Sequence, residues 1–193
     1  MLPSQKGFTQ PLHARAGFTL WFTGLPCSGK TTLSTAVEKK LRRQKIKVEH
    51  LDGDAVRKKF GGDLGYSKKD RELNVKRVAM AASLLTQNGV ATLVSLISPY
   101  ESMRQNARSL IHPFIEIYLR CPLRVCEKRD RKNMYRLARE GKIENFTGVS
   151  DPYEEPSNPE LVLDTDVTGV ENCVEKILKC LQRKKFILRR KLG

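Results

Sequence analysis

Apolar and polar positions along this chain follow two rhythms in turn. Short runs in which nearly every residue is apolar or β-branched predict strands. Between them lie longer stretches with an apolar residue every third or fourth position, which predict amphipathic helices. Phe18-Thr19-Leu20-Trp21-Phe22-Thr23 reads as the first strand, ended by a loop from Gly24 to Gly29. Leu33, Val37 and Leu41 then mark one face of a helix from Lys30 to about Gln44. Ile46 to Leu51 is a second short strand closing on Asp52-Gly53-Asp54, and a turn through Gly61, Gly62 and Gly65 follows. Val75, Val78, Ala79, Ala82 and Leu85 place a long helix from about Lys68 to Asn88, with Asn88-Gly89 as its stop. Val90 to Ile97 is almost continuously apolar, as in a strand covered on both faces. Ser98-Pro99-Tyr100-Glu101 opens another helix, Phe114 to Leu119 is a strand, and Leu123 to Lys128 is helical. From Arg129 to Pro159 the chain is polar and basic, with a short helix near Met134 to Arg139. Leu161-Val162-Leu163 forms a last strand, and Val170, Val174, Ile177, Leu178 and Leu181 define a terminal helix.

Strands alternating with helices predict an α/β fold: one domain with a parallel sheet, right-handed crossovers and helices on both faces. Ligands of such sheets bind beyond the carboxyl ends of the strands. Those ends carry Gly24 to Thr31, Asp52 to Asp54, Ile97-Ser98 and the loop after Leu119, so the chemistry is expected in one cleft. The domain is expected to run over residues 17–182, between an N-terminal arm (1–16) and a basic tail (183–193).

Composition sharpens this picture. At 193 residues, 39% hydrophobic and 30% charged, the chain suits one globular core. No apolar run approaches the roughly 20 residues that cross a bilayer, and the N-terminus lacks the apolar block of a secretory signal. A cytoplasmic protein without membrane contact is therefore expected. Thirty-six Lys and Arg against 21 Asp and Glu leave a net charge of +15 and favour an anionic ligand. Part of that surplus (Arg183, Lys184, Lys185, Arg189, Arg190, Lys191) lies in the tail, which reads as a solvated extension. Five cysteines without a C-x-x-C pair suggest neither a disulfide framework nor zinc, and fit a reducing compartment. His13, His50 and His112 are scattered, so a histidine metal site is not expected.

Gly24-Leu25-Pro26-Cys27-Ser28-Gly29-Lys30-Thr31 matches G-x-x-x-x-G-K-[ST] in full, between a predicted strand and a predicted helix. Such a loop turns its backbone N–H groups onto phosphate oxygens at a helix N-terminus. Lys30 would neutralise the β- and γ-phosphates and Thr31 would hold Mg²⁺, which makes the domain a P-loop fold that uses ATP. A turn that merely needed glycine would give no reason for Lys-Thr after Gly29. Cys27, inside the loop, is either redox-sensitive or simply a small residue whose backbone matters. Asp52 and Asp54 stand beside the expected phosphates; one can serve Mg²⁺ or a reacting hydroxyl while the other builds the turn, and spacing leaves open which.

Together with these motifs, the chain carries Asp52-Gly53-Asp54-Ala55-Val56-Arg57, Leu64-Gly65-Tyr66-Ser67, Asp70-Arg71-Glu72-Leu73-Asn74, Ile97-Ser98-Pro99-Tyr100, Pro122 to Asp130, Phe146-Thr147-Gly148 and Pro159 to Leu163. In this set, from about Phe18 to Leu181, it resembles the adenylylsulfate kinase (APS kinase) family. The resemblance implies a P-loop kinase fold, a homodimer, and phosphorylation of the 3′-hydroxyl of adenosine 5′-phosphosulfate by Mg-ATP. It assigns Gly24 to Thr32 and Arg129 to ATP, with Arg129 over the adenine. Arg57, Arg71 and Asn74 would hold the acceptor's phosphosulfate and ribose, where guanidinium forks suit paired oxyanions. Tyr66 and Phe146 would sandwich the acceptor's adenine. Ile97 and Ser98 would touch the acceptor from the strand end, and Lys132 would reach it from a lid at about 129–150. Asp54 would contact both acceptor and metal. Read without the resemblance, Arg71 and Asn74 could be solvated surface, and Tyr66 and Phe146 could be packing.

The family's serine at position 98 is described as a phosphoserine intermediate. Ser98-Pro99-Tyr100-Glu101 also has the form of a capping box with proline at the first helical position, and no His or Lys base adjoins it in sequence. The expectation is direct in-line transfer, with Lys30, Asp52 and Asp54 at the reaction centre and Ser98 as a cap. Tyr66 and Leu96 stand where the family usually has Phe, and Asn133 and Asn145 where Gly is common, so the lid is the least constrained part. Two rivals stand beside this reading: a nucleoside or nucleotide kinase of the same fold, and a non-catalytic module binding nucleotide or nucleic acid. The latter is disfavoured, since aromatic residues make up only 7% of the chain.

Overall fold

The computed structural model describes residues 17–60 and 62–188; the N-terminal arm, Gly61 and the last five residues of the tail lie outside the described residues. Five parallel strands form one sheet: β1 (Phe18–Thr23), β2 (Val48–Asp52), β3 (Ala91–Ser95), β4 (Phe114–Arg120) and β5 (Leu161–Asp164). Their order is β2-β3-β1-β4-β5, with β1 central and paired to β3 and β4. Among the described residues seven helices connect and flank them: α1 (Lys30–Arg43), α2 (Gly53–Phe60), α3 (Lys68–Gln87), α4 (Glu101–Leu110), α5 (Leu123–Lys128), α6 (Met134–Arg139) and α7 (Val170–Arg183).

The pleat of β1 divides the core in two. Phe18, Leu20 and Phe22 pack against Leu33, Val37 and Leu41 of α1 and Val174, Ile177 and Leu181 of α7. Trp21, on the opposite face, packs with Val75, Val78 and Ala82 of α3 and Met103 and Ala107 of α4. The helical spacing predicted for the α1, α3 and α7 residues is the spacing of their buried faces. Gly17 lets β1 enter beside the end of α3, because a Cβ there would lie 2.2 Å from the Thr86 carbonyl oxygen. Among the described residues, no helix is long and apolar enough to cross a membrane.

Three expectations are corrected. The stretch after Asp52 is the helix α2 rather than a turn. Val56 is its buried apolar anchor amid Arg57, Lys58 and Lys59, so no apolar period announces it. Its first turn is held by Asp52 Oδ1, which accepts from the N–H groups of Asp54 and Ala55 at 3.1 and 3.4 Å. Second, α4 begins at Glu101 with Tyr100 as its N-cap, so Ser98 does not cap it. Glu154, 53 residues downstream, caps it instead: its Oε2 accepts from the Glu101 N–H at 2.7 Å. Third, the tail is not simply solvated from Arg183 onward. Ile187 is buried in the α1–α7 core, and Phe186 lies 5.2 Å from the Phe18 ring.

Candidate active site

The loop between β1 and α1 wraps because three of its residues take positive φ: Gly24 (148°), Cys27 (61°) and Gly29 (102°). At Gly24 a Cβ would sit 2.7 Å from the Leu119 carbonyl oxygen, so only glycine fits beneath the loop. Helix α1 has no acidic residue in its first turn and no side-chain cap. Its leading N–H groups therefore remain available to an anion. Lys30 Nζ donates to the carbonyls of Gly24 (2.9 Å) and Leu25 (2.7 Å). Burial lowers its pKa from 10.5 to about 8, against the pull of Cys126, Cys27, Asp52 and Asp54.

The two aspartates part company. Asp52 Oδ2 accepts from Thr31 Oγ1 at 2.8 Å while its other oxygen caps α2. Asp54, on the first turn of α2, keeps its side chain 85% exposed and pairs with Lys132 Nζ at 2.8 Å. An exposed pair of this kind contributes roughly 0–1 kcal/mol, so a substrate can replace it. Thr31 and Asp52 form a hard-oxygen donor set at the phosphate loop. It fits Mg²⁺, an ion usually held by one or two carboxylates together with substrate phosphates and water. Among the described residues no group of three or more His, Cys, Asp or Glu is placed to cage a metal.

Arg57, Tyr66 and Arg71 meet on the α2–α3 side. The Arg57 guanidinium stands 4.1 Å over the Tyr66 ring and donates to the Gly65 carbonyl. Arg71 Nε donates to the Tyr66 carbonyl at 2.9 Å, and its Nη2 donates to the carbonyl of Asn145 in the lid. Arg71 and Asn74 are buried, which overturns the solvated-surface alternative. Asn74 Oδ1 and Ser28 Oγ are buried without a hydrogen-bond partner among the described residues. Tyr66 is exposed, whereas Phe146 is buried edge-on against Tyr135, 5.0 Å away.

Ile97 and Ser98 form the corner after β3. Ser98 is buried with φ 39°, a region that costs a non-glycine residue about 1–3 kcal/mol unless its surroundings enforce it. They do: its Oγ accepts from Trp21 Nε1 (3.0 Å) and donates to Thr23 Oγ1 (3.2 Å), and its carbonyl accepts from Arg104 (2.7 Å).

The segment expected to be the lid, residues 129–150, packs on the phosphate loop. Tyr135 Oη donates to the Pro26 carbonyl at 2.9 Å, and Leu25 and Cys27 share an apolar cluster with Tyr135 and Phe146. Arg129 donates to the Thr165 carbonyl (2.8 Å), and Thr165 Oγ1 donates to the Ser28 carbonyl (2.8 Å). This ties Arg129 and the end of β5 to the loop. Sequence reasoning missed Tyr135, Thr165, Asp151 and Tyr153, which reach the site from 51 to 137 residues away. A lone tyrosine or threonine in a polar stretch gives no signal of such a partner.

Comparison with known proteins finds relatives in sequence and in structure. The chain is 50% identical over 176 residues to the adenylyl-sulfate kinase of Halothermothrix orenii, covering 91% of this chain and 95% of that one. The Mycobacterium tuberculosis APS kinase, solved in complex with AMPPNP and APS, superposes with a TM-score of 0.83 at 38% identity, over 86% of this chain and 98% of the other. A hexameric APS kinase from Thiobacillus denitrificans superposes at 0.70 with 31% identity, over 90% of this chain and 30% of that one. Residues 16–164 match the adenylylsulphate kinase family, and the chain belongs to that family.

Proposed function

We propose that this kinase transfers the γ-phosphoryl group of ATP to the 3′-hydroxyl of adenosine 5′-phosphosulfate, giving 3′-phosphoadenylyl sulfate and ADP. The observation that carries this is the convergence, along one edge of the sheet, of the phosphate loop, the exposed Asp54 carboxylate and the Arg57–Tyr66–Arg71 cluster.

The loop N–H groups from Gly24 to Thr32 and the Lys30 ammonium hold the β- and γ-phosphates, and Arg129 covers the adenine of ATP. Thr31 and Asp52 are the residues suited to Mg²⁺, and Asp54 stands closer to the acceptor. Mg²⁺, when bound, supplies charge neutralisation on the phosphates. Arg57, Arg71 and Asn74 grip the phosphosulfate and ribose. Tyr66 and Phe146 flank the acceptor's adenine, and Ile97, Ser98 and Lys132 complete its pocket. Asp54 orients the 3′-hydroxyl and takes its proton as the 3′-oxygen bonds to the γ-phosphorus and the bond to the β–γ bridging oxygen breaks. Transfer is direct, since the Ser98 hydroxyl is occupied by Trp21 and Thr23 and aligned for neither attack nor activation.

We read the protein as a homodimer of a reducing, cytoplasmic compartment, without membrane or nucleic-acid partners. Support comes from its five free cysteines and from the apolar stripe of Leu73, Met80 and Leu84 exposed along α3.

The test is to incubate the protein with Mg-ATP and adenosine 5′-phosphosulfate, following ADP and the 3′-phosphorylated product, with Lys30→Ala as control. Transfer that is lost in Lys30→Ala and absent with AMP or nucleosides is expected. ATP binding without transfer would move the assignment to another acceptor, or to a non-catalytic nucleotide-binding module.

A further inference from the structure

Arg104 lies on α4, behind the cleft, and its side chain is 0% exposed. A buried guanidinium is costly unless its N–H groups are used. Those of Arg104 are divided between carboxylates and main chain. Nη2 pairs with Glu101 at 2.5 Å, while Nε stands 3.0 Å from Glu116 Oε1 as an ion pair without hydrogen-bond alignment. Nη1 donates to the Ser98 carbonyl and Nη2 to the Glu154 carbonyl, each at 2.7 Å. One side chain thus holds both the acceptor corner after β3 and the segment that follows the lid. Its guanidinium also stands 5.7 Å from the ring centre of Tyr153, the residue before Glu154.

Tyr153 closes the circuit through hydroxyls whose directions can be worked out. Thr23 Oγ1 gives its single proton to the Ile97 carbonyl at 2.7 Å. It can then only accept from its two other neighbours, Tyr153 Oη at 2.9 Å and Ser98 Oγ at 3.2 Å. Ser98, having donated to Thr23, accepts from the Trp21 indole N–H at 3.0 Å. Every proton in this chain has one place to go, and burial keeps the Tyr153 phenol protonated and able to donate. The positive φ of Ser98 persists because its carbonyl, its hydroxyl and the preceding carbonyl are all held.

We infer that Tyr153 and Arg104 are positioning residues for the acceptor. Through Thr23 and Ser98 they set the Ile97–Ser98 corner, and they make its geometry depend on the segment returning from the lid. The inference deepens the functional reading above and rests on it for its kinetic arm. Tyr153 lines a cavity that Leu25 of the phosphate loop also lines, but its hydroxyl and the Arg104 guanidinium are bonded to Thr23, Ser98 and Glu154, so their effect is expected on the acceptor corner rather than on ATP.

Tyr153→Phe removes one hydroxyl and keeps the ring, which stacks on Tyr118 at 6.0 Å. Thr23→Val removes the node, Thr23→Ser restores it, and neither depends on how well an Arg104 variant folds. The expected result for Tyr153→Phe and Thr23→Val is a rise of about tenfold in KM for adenosine 5′-phosphosulfate, with KM for ATP unchanged to about twofold and Thr23→Ser close to the unaltered chain. A second readout is independent of turnover. Trp21 is the single tryptophan, so a ¹⁵N–¹H spectrum contains one indole resonance, whose shift and hydrogen exchange report on the Trp21–Ser98 bond. Both should change in the two variants and recover in Thr23→Ser. Both KM values moving together, or an unmoved acceptor KM with an unmoved indole signal, would overturn the inference. If the unaltered chain transfers nothing to this acceptor, the functional reading has failed, and the indole signal alone then decides: a shift in Tyr153→Phe supports the clamp and constancy refutes it.

Discussion

Lys30 offers the sharpest test of the nucleotide site, because its burial makes ATP binding a proton-uptake reaction. The partly buried ammonium is held against two carbonyl oxygens, and its pKa falls from 10.5 to about 8. That shift corresponds to about 3 kcal/mol disfavouring the charged form. A polyphosphate brought against Nζ favours the charged form again and restores the higher pKa. At pH 9 the free site is about one-tenth protonated and the bound site almost fully, so binding should take up about 0.9 of a proton. At pH 7 the uptake from this group falls to about 0.1, and above pH 8 affinity should drop about tenfold per pH unit. Calorimetry at pH 8 to 9 in buffers of different ionisation enthalpy measures the uptake directly. The terminal phosphate has finished titrating there, and burial, with Asp130 second, pushes the Cys27 thiol above its ordinary value. Lys30→Met should abolish the uptake. An enthalpy independent of buffer at pH 9 would refute the reasoning. The folded pKa lies below the unfolded one, so the native state binds fewer protons between about pH 8 and 10.5. Burying the ammonium is thus a stability penalty, present below that window and relieved as pH rises through it.

The two aspartates and Ser98 give further tests. Asp54→Asn should lower kcat about 10²–10⁴-fold with little change in stability, because the carboxylate is exposed and, in the proposed mechanism, takes the proton of the hydroxyl. Asp52→Asn should instead raise the Mg²⁺ concentration needed for activity and loosen α2, which a Mg²⁺ titration and thermal melting would separate. Ser98→Ala should retain measurable turnover and lose about 1–3 kcal/mol of stability, since the Trp21 indole is left without an acceptor. Complete loss of turnover with both substrates still bound would argue for a phosphoserine route.

How far the sequence reaches depends on the range of the physics involved. The phosphate loop was legible because its chemistry is local: glycines that permit positive φ, a lysine and a threonine at the start of a helix all lie within eight residues. The strands and the three longest helices were legible because burying one face imposes a period on neighbouring residues, and Leu33, Val37 and Leu41 are buried as their spacing required. Helix α2 was not legible, since one buried valine sets no period and its cap, Asp52, resembles a turn residue. Ser98 shows the limit most clearly. Its local pattern is that of a helix cap, yet its hydroxyl lies between Trp21 and Thr23, and the cap comes from Glu154. A hydroxyl or carboxylate satisfies many partners equally well, so the sequence identifies it as a hydrogen-bonding group without specifying with what. Only packing of the sheet, α4 and the segment after the lid brings those partners within 3.2 Å. The same packing separates Asp52, bound to Thr31, from Asp54, exposed to the cleft, although the two stand only two residues apart.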